Sequence, residues 1–374
     1  MNVDVLNRAG VQAPAMSKLA IADGDIHPRA AGPSVGGVSK SLFPYLSKRW
    51  IEHVETFGVT YRQHWERGSA YPKNQPLACR RDAYAPDGGP PGSDLAFMAK
   101  QHLDPNNVQL GILNPLGAGQ GASNPDLSGA LTHATNEWQK TEWTSRDRRL
   151  RGSVVIPYED TEASVKEIEL RAGDTDFAQV LFLTRTAEPM GQKRYWKIYE
   201  AAAAANLAIG VHAFGQGGWP NGAGGWASYY TEEMVGHAQA QQAVLISMIL
   251  EGVFERIPNL RIVLIEGGLC WAASLAWRLD RQWKKLKQEV PYLKRAPSEY
   301  MKTNLWFTTQ PIEEPEPRQQ LAEAFDWIGW DRILFATDYP HWDFDDPSSA
   351  LPMKMTEAQK RGIFRENANK VYRV

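Results

Sequence analysis

The feature that most constrains this chain is a repeating alternation. Short apolar, β-branched runs recur along it, and helical patterns lie between most of them. Eight runs read as strands: KLAIADGDI (18–26), VQLGIL (108–113), LRGSVVIP (150–157), AQVLFL (178–183), LAIGVHA (207–213), RIVLIEG (261–267), NLWFTT (304–309) and RILFATD (332–338). Several are apolar on both faces, as parallel strands covered by helices are. Helical patterns over 134–147, 162–173, 193–206, 237–258, 271–288 and 314–328 supply the crossovers that parallel pairing requires. Eight strand–helix units close most simply into a (β/α)8 TIM barrel. An open doubly wound sheet is the competing arrangement, but no GxGxxG fingerprint follows the first strand.

Two connections are too long to be simple turns. Residues 28–107 are rich in Pro, Gly and Arg, and 214–236 carry FGQGGWPNGAGGWASYYTEEMVG. Both follow strands, so in a barrel both rise from the C-terminal face, where active sites are built. Long segments of this kind are functional or disordered. Their aromatics and low charge density predict ordered caps over the mouth. A chain of 374 residues is ordinary for an α/β barrel. Residues 1–374 therefore read as one barrel domain, with 1–17 as a loose N-terminal arm. That arm lacks an apolar signal-peptide core. The net charge of −2 gives no footprint for nucleic acid or anionic lipid. No stretch is apolar over the roughly 18 residues a membrane span needs. Two cysteines, Cys79 and Cys270, form no CxxC pair and fit a reducing compartment, so a cytoplasmic location is expected.

The chemistry gathers at strand ends. In ADGDIHP, Asp25 and His27 are two apart and share one side of the first strand, with Ile26 opposite. Taken alone, the stretch reads as a turn stopped by Pro28. It has company, however. His212 ends the fifth strand, Glu266 the sixth and Asp338 the eighth. Each alone has a plainer explanation as a buried histidine, a turn former or a helix cap. Together they stand at the same end of strands one, five, six and eight and converge on one cavity. Imidazole nitrogen and carboxylate oxygen form a shell for one divalent metal; zinc is the first expectation, with manganese, iron or cobalt as alternatives.

At this point the chain resembles a known family. DGDIHP, LAIGVHAFG, LEGVFERIPNLRIVLIEGGLCW, WRLDRQW and ILFATDYPHWDFDDP are similar to the amidohydrolase-related metal enzymes, in the branch of the aminocarboxymuconate-semialdehyde and resorcylate-type decarboxylases. The resemblance is close over 18–30 and 178–374 and patchy through the insertions. It implies a distorted (β/α)8 barrel, one divalent metal and a homodimer. It assigns His27, His212 and Asp338 as ligands. Asp25 stands where members carry His, Glu or Asp, so the resemblance offers it as a fourth. After the sixth strand the decarboxylases usually carry a histidine before paired glycines; here that position is Glu266. A carboxylate there would repel a bound carboxylate unless protonated.

That departure favours hydrolysis as the first expectation. A metal-activated water, deprotonated by Asp338, would attack a carbonyl of a small aromatic or conjugated acid, and His237 or Glu266 would protonate the leaving group. Arg185, Arg80 or Arg81 would anchor a substrate carboxylate, and Trp219, Trp226, Tyr229 and Tyr230 would wall the ring. The nearest alternative is non-oxidative decarboxylation of a hydroxylated aromatic or muconate-type acid on the same ligands. A second is a barrel that has lost its chemistry and only binds a ligand. His341, three residues after Asp338, reads as a structural or ligand-orienting histidine. Cys270 closely follows Glu266, but a nucleophilic role would need a base beside it, and none is expected.

Overall fold

The structure is a computed structural model that describes residues 19–61, 76–213, 220, 222 and 225–374. Its eight barrel strands are β1 (Ile21–Ile26), β2 (Val108–Leu113), β3 (Leu150–Val155), β4 (Phe177–Leu183), β5 (Ala208–His212), β6 (Ile262–Ile265), β7 (Leu305–Thr308) and β8 (Ile333–Leu334). They pair in sequence order and all in parallel. This is the (β/α)8 barrel that the alternation predicts.

Closure between the last strand and the first is irregular. β8 pairs with β7 only through Ile333 and Leu334. Beyond it the chain runs on beside β1 through separate bonds: Gly24 N to Phe335 O (2.9 Å), Asp338 N to Asp25 O (3.1 Å) and His27 N to Tyr339 O (2.7 Å). β1 itself shifts register between Asp23 and Ile26. Asp338, which the sequence places at the end of a strand, therefore sits four residues past it in this seam.

The helices start where short polar side chains take up free backbone N–H groups. Asn124 accepts from Leu127 N ahead of Pro125–Gln139, and Asp160 from Ala163 N ahead of Thr161–Arg171. The first of these begins at Pro125 rather than 134, because a proline at the first position and an asparagine cap extend it beyond its apolar pattern. Helix Tyr230–Leu250 likewise starts inside the segment expected to be an insertion. Several helical regions have no counterpart in the sequence expectation, among them Lys48–Phe57 and 95–103 in the first insertion, Pro297–Asn304, and the turns from Glu357 to Tyr372 that cover the base of the barrel. There Tyr372 and Val371 pack with Ala22, Leu110, Ile112 and Ile265 inside the barrel. A larger apolar layer lies between strands and helices, around Val180, Phe182, Ile209, Val211 and Leu264. Among the described residues, no helix is long and apolar enough to cross a membrane.

The first insertion is ordered where described. It carries a short hairpin (Ser34–Val35 with Val38–Ser39) and helix Lys48–Phe57, whose Val54 packs against Leu127 and Leu131. Its GGPPG stretch returns to β1. Arg29 N donates to Gly92 O (2.8 Å), and a Cβ on Gly92 would lie 2.4 Å from His27 O. Gly92 also has a φ of +78°, so both space and backbone demand glycine.

Candidate functional site

Five of the predicted residues meet at the mouth. His27 Nε2 lies 3.2 Å from Asp25 Oδ1 and 2.8 Å from Asp338 Oδ1. His212 Nε2 lies 3.5 Å from Asp25 Oδ2 and 2.9 Å from Glu266 Oε2. The His27 and His212 rings meet edge to face, with centroids 5.1 Å apart. His341 joins them: it stacks on His27 at 4.4 Å, and its Nδ1 is 2.6 Å from Asp338 Oδ1. All are buried except His341, which is partly exposed.

Local backbone sets these directions. His212 is the last residue of β5, in register with Leu183 and Ile265. Glu266 and Asp338 both have left-handed backbones (φ +59° and +61°). That costs a non-glycine residue on the order of 1–2 kcal/mol and is a pattern found at functional sites. Gly267 allows the sharp exit after Glu266, since a Cβ there would meet the Gln241 side chain at 2.1 Å.

The donor set fits a cation. Asn114 O can only accept, so His27 donates Nδ1–H to it (2.8 Å). In the neutral ring, Nε2 then presents a lone pair toward two carboxylates. Neither this nitrogen nor Oδ2 of Asp25 or Asp338 makes an aligned hydrogen bond among the described residues. Facing acceptors at such distances need a proton or a metal between them. Without a cation, protons fill that role. Burial opposes it, but the charges of Asp25 and Asp338 hold His27 well above the ordinary histidine value. Burial is likewise outweighed at His212, which Glu266 and Asp25 raise to about 9. Burial and the Glu266 charge push Asp338 up to about 8. Against burial, His27 and His212 hold Asp25 far below the usual carboxylate range, and His212 holds Glu266 at about 2. Three groupings have ligand atoms within 4.8 Å of one another: Asp25–His27–His212, His27–Asp338–His341 and Asp25–Glu266–Asp338.

The remaining expectations divide. His237 reaches the cluster, with Nδ1 3.9 Å from Glu266 Oε1. It lies within helix Tyr230–Leu250 rather than at its start, because the helix begins earlier. Arg185 is buried against Glu233 in an ion pair. Arg80 is committed to Asp82 (2.9 and 2.6 Å) and lies over the Phe344 ring. Arg81 is exposed in the turn Arg81–Ala83. Trp219 lies outside the described residues. Tyr229 is exposed, whereas Tyr230 OH accepts from Trp342 Nε1 (3.2 Å). Burial and Glu313 push the Cys270 thiol to about 12, consistent with an inert cysteine.

Sequence reasoning missed the residues that aim the cluster. Asn114, just past β2, holds His27 through its carbonyl and Asp25 Oδ1 through Nδ2 (2.9 Å). Its Oδ1 accepts from Ser153 (2.6 Å) and Gln179 (2.9 Å), a buried polar layer inside the barrel. Asp23 accepts from Thr337 N (2.9 Å), Thr337 Oγ1 (2.5 Å) and Asp25 N (3.2 Å), and its Oδ2 is 2.8 Å from His102 Nε2. It thereby ties both sides of the seam together. The DGD spacing showed an Asp at 23 but not its role, and nothing local marked Asn114.

Beside the cluster opens a cavity of about 540 Å³ that shares His27 and His341 with it. This is a usual size for a small-molecule site.

A closed parallel barrel with imidazoles and carboxylates converging at its C-terminal mouth defines a metal-dependent barrel enzyme. The chain belongs to the amidohydrolase family, whose model matches residues 23–374. Among curated proteins it is 24% identical to a gamma-resorcylate decarboxylase of Polaromonas sp., over 75% of this chain and 88% of that one. A 5-carboxyvanillate decarboxylase from Novosphingobium aromaticivorans, solved with manganese and a nitrobenzoic acid, aligns with TM-score 0.70 at 17% identity, covering 96% of this chain and 98% of that one. The 2,6-dihydroxybenzoate decarboxylase from Rhizobium aligns with TM-score 0.61 at 21% identity over 75% and 89%. These relatives overturn the expectation of a hydrolase. They are carboxy-lyases of aromatic acids, which matches the alternative reading. Zinc as the first choice of metal is not supported by them either: the Novosphingobium neighbour and a dihydroxybenzoic acid decarboxylase from Polaromonas are solved with manganese.

Proposed function

We propose that this protein is a metal-dependent, non-oxidative decarboxylase of a hydroxylated aromatic acid. The observation that carries the reading is the convergence of donors from β1, β5 and the β8 seam, in a chain similar to gamma-resorcylate decarboxylases. Asp25, His27, His212 and Asp338 are the residues that would hold the metal. Manganese is the choice, from the neighbours' bound ion and the carboxylate-rich donor set. When bound, the cation supplies a Lewis acid that orients and polarises the substrate's phenol and carboxylate oxygens.

The chain's own residues do the rest. Asp338 presents Oδ2 without a hydrogen-bond partner and receives His341 on Oδ1. It is placed to pass a proton to the ring carbon as the carbon–carboxylate bond breaks and carbon dioxide leaves. His341, partly open to solvent, is the route by which that proton is replaced. Glu266 keeps His212 oriented rather than meeting the substrate's carboxylate, so its charge is spent within the cluster. His237, whose pKa burial lowers, stands behind Glu266 as a neutral ring.

The test uses manganese-loaded protein with 2,6-dihydroxybenzoate and 5-carboxyvanillate, following carbon dioxide release. The wild type is expected to release it, and Asp338→Asn to lose at least about 1,000-fold in kcat while remaining folded. No carbon dioxide from any hydroxylated aromatic acid, with metal bound at one per chain, would falsify the reading.

A further inference from the structure

We infer that Arg29 anchors a second anionic group on the substrate ring, so that the favoured substrate is a hydroxylated aromatic dicarboxylic acid. The inference rests on the decarboxylase reading for the reacting end of the molecule and extends it to the other end.

The cavity beside the metal cluster is walled by Pro115, Leu116, Leu131 and Trp138, surfaces suited to a ring face. Its polar groups are largely spent. Ser39 Oγ donates to Ala31 O, and Thr135 Oγ1 donates to Leu131 O (2.9 Å). Arg29 is the one arginine or lysine among the lining residues. Its backbone is fixed by the bond from its N–H to Gly92 O and by its place two residues after His27. Its guanidinium makes no ion pair or hydrogen bond among the described residues. The arginines that sequence reasoning favoured are otherwise engaged: Arg80 with Asp82 and Arg185 with Glu233. A half-buried cation that lines the chamber and has no ion pair among the described residues suits an anion brought by the substrate.

Charge balance points the same way. Asp25, Glu266 and Asp338 put three carboxylates into one buried cluster. With Asp338 ionised, as it is once its proton has been passed on, and the imidazoles neutral, a divalent ion leaves one negative charge uncompensated, which disfavours a further anion in the chamber. Arg29 offsets that penalty from the neighbouring wall. Arg29 and His27 line the same chamber, and the charges of Arg29, His27 and Asp338 all act on the buried Cys79 thiol. The chamber then has two unlike ends, a metal end for the phenol and the departing carboxylate and a guanidinium end for a group that stays on the product. The planar fork of arginine suits a carboxylate better than a hydroxyl at that end.

Calorimetric titration of manganese-loaded protein tests this with two unreactive probes: 4-hydroxy-3-methoxy-5-nitrobenzoic acid, and the same nitrophenol without its carboxylate. Wild type is expected to bind the acid at least 10-fold more tightly than the phenol. Arg29→Met should erase that preference while leaving phenol affinity within about twofold, and Arg29→Lys should restore part of it. With 5-carboxyvanillate, Arg29→Met should raise KM at least 10-fold and alter kcat less than threefold. Equal affinity of wild type for the two probes, or equal loss of both in Arg29→Met, overturns the assignment. Carbon dioxide release by wild type with an unchanged KM in Arg29→Met defeats Arg29 alone. Probe discrimination without any carbon dioxide release defeats the decarboxylase reading and keeps Arg29 as the anchor.

Discussion

Asp23 shows how much of the proposed metal site lies outside its ligands. It touches no candidate ligand's donor atoms, yet its carboxylate accepts from the backbone of Asp25 and from Thr337, the residue before Asp338. It also meets His102, which stacks on Tyr339 at 4.8 Å. The seam thus has one buried acceptor holding both its edges. Removing that acceptor strands several buried donors at once, each costing on the order of 1–3 kcal/mol when unsatisfied. Asp23→Ala is expected to lose about 3 kcal/mol in urea unfolding and most of its bound manganese. Asp23→Asn keeps one acceptor oxygen and should lose less of both. Full metal occupancy in Asp23→Ala, measured by elemental analysis, would show that the seam holds Asp25 and Asp338 without it. Residues of this kind escape sequence reading because their role is relational: an Asp two before another Asp looks the same whether it points in or out.

At the level of elements, the insertion after β1 reaches the site through contact with its backbone. Gly92 approaches His27 O so closely, and with such a φ, that any side chain must displace the strand end. Gly92→Ala is expected to cost about 2 kcal/mol and to weaken metal binding by moving His27. Wild-type occupancy in that variant would uncouple the loop from the ligand. A second element contact sets a pH dependence away from the site. His133 on Pro125–Gln139 is raised above its ordinary value mainly by its bond to Glu167 (3.0 Å) on Thr161–Arg171. Glu167 is lowered, since His133 and Arg171 outweigh its burial. A raised histidine stabilises fully below about pH 6.5 and loses that contribution as pH rises through its folded value; a lowered glutamate loses its own as pH falls through its folded value. The pair therefore contributes most between the two, near pH 5.5 to 6. His133 is substantially exposed, so the effect is about 0.5 kcal/mol. His133→Gln should lower the urea midpoint at pH 6 and leave it nearly unchanged at pH 9; an equal shift at both would remove the ion pair as its cause. The strands were legible because burial on both faces leaves a dense apolar signature, and all eight lie where their runs do. Helix Pro297–Asn304 was not, since it is short, carries few apolar residues and is preceded by Ala296 rather than a polar cap.

For the molecule as a whole, the site was legible for the same reason as the fold. A barrel sends every strand end to one rim, so residues far apart in sequence, such as Asp25 and Asp338, can be placed together from strand order alone. What strand order could not supply was the direction of the chemistry. Glu266 in place of a histidine suggested hydrolysis because a lone carboxylate repels an acid substrate, but in the fold it is paired with His212. The same pairing bears on stability. Three buried carboxylates and two imidazoles at contact distance hold one another by protons when no cation is bound, and a metal displaces those protons. Because the proposed ligands come from β1, β5 and the β8 seam, a bound ion would link parts of the barrel that separate on unfolding, and so would bind the folded chain far better than the unfolded one. Manganese at 100 times its dissociation constant should then stabilise by about 2.7 kcal/mol. In a chain of this length that is a rise in Tm of roughly 3–6 °C, reversed by a chelator and absent in His27→Ala. The rise should be larger at pH 8 than at pH 6, where protons on His27 and His212 compete more strongly. A melting temperature indifferent to manganese at both pH values would mean that these donors grip one another and not a metal.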